Sequence, residues 1–420
     1  MRKVLIPILI LSSFRVAAQQ ISFQQLLASA QSQDVIQAQK TLTVQQIQTK
    51  VQQSKRLPLI YGDANIQRNL IVPVTPVPAI AFDPNAQPGA IIPLRFATDW
   101  SSKAGLQLAL DVFNPVNHAQ IKESKINEQK ASVTSKYTEQ TFRNQLIDLY
   151  AQAVLAQSQL AVATENLTTY SNTYKILEER FRAGRLSEIE HNNALKKMYE
   201  LEQLAQEAHT VLMNKCIALL PYMDVDFSAT FSTNLNELLN YSANDYQTEN
   251  SELVALDLTL NDAKLKNLNL QALPKLTING YYGAQFFDND LKLFNNNYWY
   301  GSSYVNLTLR LPITETYERG LQKKRLGIEK EILVSQLEAA TQDEMVQQKQ
   351  KQINVAKYQQ KIQQLQKILV LMESNVTITN SKLLEGTILV NELNTAIDAA
   401  VEQQQKLWQA QYDYLQAVIN

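Results

Sequence analysis

Two glutamates stand at matching places in a pattern that the sequence contains twice. Glu190 follows Gly184 by six residues, and Glu392 follows Gly386 by the same interval. Paired carboxylates can act as a general acid and a general base, and carboxylates repeated around a pore can form a ring that favours cations. Because Ser187 and Glu190 fit an S-x-x-E capping box, Glu190 could instead satisfy free backbone N–H groups at a helix start. The sequence leaves both interpretations open.

The other residues that could do chemistry are scattered. His118, His191 and His209 are far apart and fit no ligand spacing such as H-E-x-x-H. Cys216, the only cysteine, lies among leucines at helical spacing and is predicted to be an inert core residue. The sequence therefore predicts no enzyme, no metal site and no cofactor. An enzyme that uses the two glutamates as a pair is disfavoured, because they occupy equivalent places in a duplication.

The glutamates belong to a four-part pattern that runs from about residue 33 to 194 and recurs from about 250 to 396. The matching parts are Gln33-Asp34-Val35-Ile36-Gln37-Ala38 with Ser251-Glu252-Leu253-Val254-Ala255, Leu57-Pro58 with Leu273-Pro274, Trp100–Phe113 with Trp299–Ile313, and Gly184, Glu190 and Ala194 with Gly386, Glu392 and Ala396. A copy of this length is too large for a solenoid repeat of about 20 to 50 residues. We therefore expect a first structural repeat over 19–220, a connector over 221–260 and a second repeat over 236–420.

The N-terminus is predicted to be a secretory signal peptide, 1–18. Arg2 and Lys3 precede a short apolar stretch, and small residues at 16–18 suit cleavage before Gln19. A cytosolic amphipathic start is the alternative. No later run of 18 apolar residues occurs, so no membrane-spanning helix is predicted. The formal charge of −1, from 39 basic and 40 acidic residues, argues against bulk nucleic-acid binding.

Alternation of apolar and polar residues predicts a pair of strands in each repeat, within 58–113 and 274–313. The apolar positions assigned to a lipid-facing surface are Leu106, Leu108, Leu110, Val305, Leu307, Leu309 and Leu311. A corner of a soluble β-sandwich is the alternative, since one buried face gives the same alternation. Four strands cannot close a useful membrane barrel, but three copies of the chain would supply twelve.

Long helices dominate the rest of the sequence. The ranges 116–182 and 315–385 contain no proline and almost no glycine, and their apolar residues recur at spacings of three and four, which indicates a coiled-coil seam. About 65 to 70 residues give roughly 100 Å of helix. Each long helix is predicted to end at a lone left-handed glycine, Gly184 or Gly386, and a second helix then runs back. The fold class is therefore mainly α, with duplicated helical hairpins and a transmembrane β part.

The order helix, Leu-Pro, strand pair, long helix and Gly-x5-Glu-x3-Ala hairpin, found twice, resembles the TolC-like outer-membrane efflux protein family. The hairpin motifs are Phe181-Arg-Ala-Gly184-Arg-Leu-Ser-Glu-Ile-Glu190-His-Asn-Asn-Ala194 and Leu383-Leu-Glu-Gly386-Thr-Ile-Leu-Val-Asn-Glu392-Leu-Asn-Thr-Ala396. The resemblance covers essentially the whole mature chain. It implies a homotrimer in the outer membrane of a Gram-negative bacterium, with a 12-stranded barrel in lipid and a 12-helix periplasmic tunnel.

The resemblance also implies a function and partners. The trimer would export substrates passively, in a tripartite efflux or type I secretion system. A periplasmic adaptor protein and an inner-membrane pump, of the resistance-nodulation-division or ABC type, would complete the system. The main alternative is a periplasmic helical-hairpin adaptor or scaffold that does not span the membrane. Adaptors carry one hairpin and glycine-rich domains, whereas this chain has two hairpins and only ten glycines.

Individual positions receive roles from the same resemblance. The candidates for the periplasmic aperture are Glu190, Glu392, Asn193 and Thr395. Asn193 and Thr395 stand where a further acid occurs in some members, so a double carboxylate ring is not expected. The candidates for the hairpin end and adaptor docking are Arg182, Gly184, Arg185, Leu384, Gly386 and Thr387. The candidates for an aromatic band at the membrane interface are Trp299, Tyr300 and Tyr304.

Overall fold

The structure is a computed structural model that describes residues 20–226, 229–241, 249–313 and 316–419. The predicted signal peptide lies outside these residues. The helices are α1 (Phe23–Ser29), α2 (Gln33–Ser54), α3 (Pro115–Arg182), α4 (Glu188–Leu219), α5 (Leu235–Leu238), α6 (Glu249–Leu270), α7 (Thr316–Glu385) and α8 (Val390–Ile419). The strands are β1 (Gln20–Ile21), β2 (Leu59–Arg68), β3 (Thr75–Pro78), β4 (Ile91–Leu94), β5 (Trp100–Phe113), β6 (Thr230–Phe231), β7 (Lys275–Asp288) and β8 (Trp299–Arg310).

The chain divides into two compact units. One, which we call the hairpin unit, is built from the described residues within Met1–Lys40, Val133–Ser251 and Ala339–Asn420. The other, which we call the sheet unit, is built from Thr41–Ser132 and Glu252–Glu338. Each unit takes segments from both sequence repeats. None of the helices in the described part of the chain combines the length and apolar character needed to cross a membrane.

Helices α3 and α7 have 68 and 70 residues, close to the bounds expected from the sequence. The only proline in these two helices is Pro115 at the first position of α3, where no intrahelical N–H bond is lost, so both backbone hydrogen-bond ladders continue without a break. The returning helices α4 and α8 begin a few residues after the glycines, at Glu188 and Val390. Both hairpins of the predicted architecture are therefore present.

The stretch 20–56, which precedes the first long strand, is divided into three elements. It contains the short strand β1, the helix α1 and the helix α2. Ser22 starts α1 with a capping box, in which its hydroxyl accepts from the Gln25 N–H and the Gln25 side chain accepts from the Ser22 N–H. Strand β1 pairs in parallel with β6, which belongs to the predicted connector. The chain divides into separate elements here because the cap and the strand pairing satisfy backbone N–H and C=O groups that a continuous helix would satisfy internally.

An apolar core in the hairpin unit forms around Tyr150. The rings of Phe23 and Phe231 pack edge-on against it, with centroids 5.5 and 5.4 Å away. The Tyr150 hydroxyl donates to the Ile21 carbonyl oxygen at 2.7 Å and accepts from the Thr233 N–H at 3.1 Å. A buried tyrosine hydroxyl needs such partners, and here they attach the β1 and β6 segments to α3.

One antiparallel sheet with the order β2-β5-β7-β8 organises the sheet unit. The two strand pairs predicted from the repeats are joined through β5 and β7, which pair with Leu106 opposite Tyr282 and Leu108 opposite Gly280. The register of this pairing shifts between Asp111 and Phe113. The proline-rich segment between β2 and β5 adds a separate two-stranded ribbon, β3 with β4. Proline is tolerated there because both strands of a two-stranded ribbon are edges.

Candidate functional site

Each hairpin turn is built around a glycine with a positive φ. Gly184 has φ +70° and Gly386 has φ +80°, as the predicted left-handed caps require. The Arg185 N–H donates to the Arg180 carbonyl at 2.8 Å, and the Thr387 N–H donates to the Lys382 carbonyl at 3.0 Å. The glycine N–H groups add a second bond in each turn, which completes a Schellman motif. The two repeats therefore end their long helices by the same backbone device.

Glu190 forms the capping box with Ser187 that the S-x-x-E sequence predicts. The Glu190 N–H donates to the Ser187 hydroxyl at 3.3 Å. In return, the Glu190 carboxylate accepts from the Ser187 N–H at 3.4 Å and from the Ser187 hydroxyl at 2.9 Å. Glu392, in contrast, is exposed in the first turn of α8. The two matching glutamates therefore differ in the surroundings of their carboxylates: that of Glu190 accepts hydrogen bonds from Ser187, and that of Glu392 faces solvent.

The other two aperture candidates make contacts on their own and neighbouring helices. The Asn193 carbonyl accepts from the Asn394 amide at 3.4 Å, and Asn193 is half-buried. The Thr395 hydroxyl donates to the Asn391 carbonyl one turn earlier at 2.9 Å, and Thr395 is exposed. The structure thus brings Asn193 to the contact between α4 and α8, while an aperture role for either residue remains a prediction.

Arg180 contacts the end of the other hairpin, which the sequence did not indicate. Its guanidinium donates to the Leu383 carbonyl at 3.0 Å and also to the Leu384 carbonyl. These are among the last carbonyls of α7, which have no partner within the helix and carry its negative dipole end. An arginine in the last turn of a long helix was the only available signal, and it did not reveal which helix the side chain would reach.

The exposed part of the hairpin ends carries the remaining docking candidates. Arg182 is exposed and pairs with Glu178 one turn earlier at 2.6 Å. Arg185 and Thr387 are exposed beside their glycines, and Leu384 is half-buried. The structure therefore places the docking candidates around the two turns, and their role in docking remains a prediction.

Packing between the hairpins near these turns combines an apolar cluster with polar contacts. The buried cluster consists of Tyr170, Leu177, Ala194, Leu201, Leu383, Val390, Leu393 and Ile397. The Tyr170 hydroxyl donates to the Asn394 amide oxygen at 2.9 Å, and burial raises the pKa of this phenol well above its ordinary value. Lys197 is buried and forms an ion pair with Asp398. The two hairpins are thus tied by contacts that need both repeats.

The sheet has one apolar face, and the strand residues predicted to face lipid lie on it. The register places Leu106, Leu108, Leu110, Val305, Leu307 and Leu309 on the same face. Leu311 follows the end of β8. Val305 is 80% exposed and Leu307 is 63% exposed, which is unusual for aliphatic residues in regular structure. The contact of this face with lipid remains a prediction.

The opposite face of the sheet is polar, and its side chains bond across the strands. Tyr61 donates to the Gln107 amide oxygen at 2.7 Å, and the Gln107 amide donates to Asp63 at 2.7 Å. Lys275 pairs with Asp111 at 2.9 Å. Because successive side chains of a strand point to opposite faces, this network and the apolar positions are strictly separated.

The three aromatic residues predicted to form one interfacial band lie on two different faces. Trp299 shares the apolar face, packs near Phe286 and donates its indole N–H to the Leu293 carbonyl at 2.7 Å. Tyr300 and Tyr304 lie on the polar face, because the register pairs them with residues of that face. Trp299 and the two tyrosines therefore lie on opposite faces of the sheet, and the place of all three at the membrane interface remains a prediction.

Strands β2 and β8 are the free edges of the sheet within the described residues. Since neighbouring strands are antiparallel throughout, β2 and β8 run in opposite directions. Among the residues that the structure describes, their outer backbone groups have no strand partner. Such edges are normally protected or paired in proteins, because they offer a row of unsatisfied N–H and C=O groups.

Ligand chemistry is sparse in the part of the chain that the structure describes. No group of three or more His, Cys, Asp or Glu residues there could hold a metal ion. Cys216 is fully buried, and burial raises the pKa of its thiol. Its predicted place in the core is confirmed.

Comparison with known proteins finds matches for this chain among solved structures. No family model matches the sequence, and no curated protein matches it. Solved structures that match 94% of this chain include CusC, from a study of its transmembrane channel formation (14% identity, 90% of that chain, TM-score 0.71). They also include the outer membrane protein VceC of Vibrio cholerae (14% identity, 94% of that chain, TM-score 0.69) and the CmeC outer membrane channel of Campylobacter jejuni (14% identity, 84% of that chain, TM-score 0.66).

At this level of identity the comparison establishes the fold. The chain has the fold of outer-membrane channels, so the resemblance to the TolC-like proteins is confirmed at the level of structure. Of the similar structures, CusC is described by its transmembrane channel formation and CmeC as an outer membrane channel.

Proposed function

We propose that this chain is the outer-membrane channel of an efflux system and exports its substrates passively. The observation that carries the proposal is the two-faced sheet with two free edges, in a chain with the fold of outer-membrane channels. The apolar face would contact lipid and the polar face would line the pore. The protein would act in the outer membrane of a Gram-negative bacterium, with its long helices in the periplasm.

The exposed apolar face supports a membrane environment. Burying a Val or Leu side chain stabilises a protein by about 1.5–3 kcal/mol relative to leaving it in water. A row that includes Val305, Leu307 and Leu309 therefore costs several kcal/mol if the sheet faces water. Lipid removes that cost without a protein partner on this face.

The free edges support a closed assembly of several copies. In lipid, an unpaired strand edge leaves backbone groups without hydrogen-bond partners, so spanning sheets must close. The opposite directions of β2 and β8 allow β8 of one copy to pair antiparallel with β2 of the next. We propose a homotrimer, in which three four-stranded sheets form a 12-stranded barrel.

The hairpin ends would provide the periplasmic entrance. Arg182, Arg185 and Thr387 are exposed around the turns, where an adaptor protein would dock and connect the channel to an inner-membrane pump. Glu392 is the better candidate for a carboxylate at the aperture, because the carboxylate of Glu190 already accepts bonds from Ser187. The pump would supply the energy, in an efflux system or a type I secretion system.

Membrane fractionation of cells that produce the full-length protein tests the proposal. We expect the mature protein in the outer-membrane fraction, retained after washes with high salt and with alkaline carbonate, which strip peripheral proteins. A resident outer-membrane porin and a periplasmic protein serve as the two controls. Release by these washes would contradict the proposal and favour the alternative, a periplasmic hairpin adaptor.

A further inference from the structure

The polar face of the sheet carries one transverse row to which every strand contributes a residue. Tyr61 of β2 lies opposite Gln107 of β5, Gln107 lies opposite Tyr281 of β7, and Tyr281 lies opposite Tyr304 of β8. We call these four residues the tyrosine row. Three tyrosines at one height on a face that is otherwise rich in small and polar side chains need an explanation.

The rings of the row are held by contacts and not merely exposed. The Tyr281 side chain is 3% exposed, its hydroxyl donates to the Ala104 carbonyl at 3.1 Å, and its ring stacks on that of Tyr304 at 5.8 Å. Tyr61 is fixed by its bond to Gln107. Tyr304 and Tyr61 remain 46% and 43% exposed, so each offers an accessible aromatic surface beside ordered neighbours.

Lys103, which has no acidic partner in the described part of the chain, adjoins the row. The Lys103 ammonium lies 4.0 Å from the ring centroid of Tyr281 and 5.9 Å from that of Tyr304. Within the described residues no carboxylate lies within ion-pair distance of Lys103, whereas Lys275 on the same face is paired with Asp111. Asp63, also on this face, accepts a hydrogen bond from Gln107. Lys103 is therefore free to attract an anion next to aromatic surfaces.

We infer that the tyrosine row and Lys103 form a binding site for planar aromatic anions. The aromatic part of the solute stacks on the exposed ring surface of Tyr304 or Tyr61, and its negative group meets the Lys103 ammonium. The inference rests on the proposed function, because it takes the polar face as the lining of an export pore. In that pore, the site would slow and select aromatic acids among exported solutes.

Binding of naphthalene-2-sulfonate to the purified full-length protein in lipid nanodiscs tests the inference. This probe is planar, fluorescent and permanently anionic, so its anisotropy reports binding directly. We expect Lys103→Gln to weaken binding about five- to tenfold, since it removes the charge that faces the sulfonate. Tyr304→Leu should weaken it severalfold, whereas Tyr304→Phe should retain it because the ring remains.

Matched controls separate this site from general attraction to the sheet. Lys275→Gln removes a lysine from the same face, but one already paired with Asp111, and should leave the affinity within twofold. Cyclohexanesulfonate has the same charge and no aromatic ring, and should compete at least fivefold less well than naphthalene-2-sulfonate. Equal effects of Lys103→Gln and Lys275→Gln, or equal competition by the two sulfonates, would overturn the inference.

Conductance of the same preparations in planar bilayers distinguishes the two proposals. A conducting wild-type protein whose probe affinity does not respond to Lys103→Gln refutes the aromatic-anion site alone. A protein that binds the probe through Lys103 and Tyr304 but forms no conducting channel supports the site and refutes its place in a pore.

Discussion

The close approach of β5 and β7 at Gly105 and Gly283 gives a prediction that tests the sheet in detail. These two glycines are directly opposite each other, and the Tyr281 ring covers them. A Cβ added at Gly283 would lie 2.3 Å from the Ala104 carbonyl oxygen and 2.6 Å from the Gly105 Cα. Ordinary contacts begin near 3.4 Å, so the methyl group overlaps backbone atoms of the neighbouring strand by about 1 Å.

The overlap determines the expected destabilisation of Gly283→Ala. Because the clashing atoms belong to a hydrogen-bonded strand, they cannot move aside as a flexible side chain would. Overpacking of this kind costs about 1–3 kcal/mol. The added methyl also lies 2.5 Å from the Tyr281 hydroxyl, and loss of its bond to Ala104 would add about 1 kcal/mol. We expect a total of about 2–4 kcal/mol, and a similar effect for Gly105→Ala.

The assay is equilibrium unfolding in guanidinium from lipid vesicles, at one fixed protein concentration because assembly makes stability concentration-dependent. Tryptophan fluorescence reports the transition, since two of the three tryptophans, Trp100 and Trp299, lie in the sheet. Gly301→Ala is the matched control, since a Cβ there meets no atom within 4 Å, and its effect should stay within about 0.5 kcal/mol. Equal stability of the Gly283→Ala and Gly301→Ala proteins would refute the register and the close packing that we describe.

Three further predictions concern the helical hairpins. Gly184→Ala should lower the free energy of unfolding, measured by thermal unfolding, by about 1 kcal/mol because the φ of Gly184 is +70°. Gly327→Ala, inside α7, should raise the free energy of unfolding by a similar amount. Arg180→Ala should lower the free energy of unfolding by about 1.5–3 kcal/mol and speed proteolysis at the hairpin ends. Arg182→Ala breaks only an exposed ion pair and should change the free energy of unfolding by less than about 1 kcal/mol, so equal effects of the two substitutions would contradict the assigned contacts. Cys216 should resist alkylation by iodoacetamide at pH 8 until the protein is unfolded, because burial raises its pKa and blocks access; rapid labelling of the folded protein would contradict its burial.

Local sequence signals predicted the local structure well. The S-x-x-E sequence at Ser187 gave the capping box, and the isolated glycines gave the two left-handed turns. Period-two alternation gave the strands and the shared face of Val305 and Leu307. These features were accessible because each depends on backbone geometry within a few residues.

Contacts between distant segments were not accessible in the same way. Nothing in the sequence near Arg180 indicates that the end of α7 lies beside it, about 200 residues later. The pairing of β1 with β6 and that of Gly105 with Gly283 also depend on chain topology. The face on which Tyr304 lies was accessible, because alternation with Val305 already places it on the other face, whereas its assignment to an interfacial band rests on its aromatic character alone.

The two faces of β8 offer the most direct test of the central claim. In a protein with Cys216→Ala, each position from Tyr304 to Leu309 is replaced in turn by a single cysteine that carries a spin label. The accessibility of each label to oxygen and to a water-soluble nickel chelate is then measured in lipid bilayers. We expect labels at Val305, Leu307 and Leu309 to favour oxygen, which concentrates in lipid, and those at the intervening positions to favour the nickel chelate. Uniform accessibility to the chelate along β8 would contradict a membrane-embedded sheet, and an alternation of the opposite phase would show that the wrong face had been assigned to lipid.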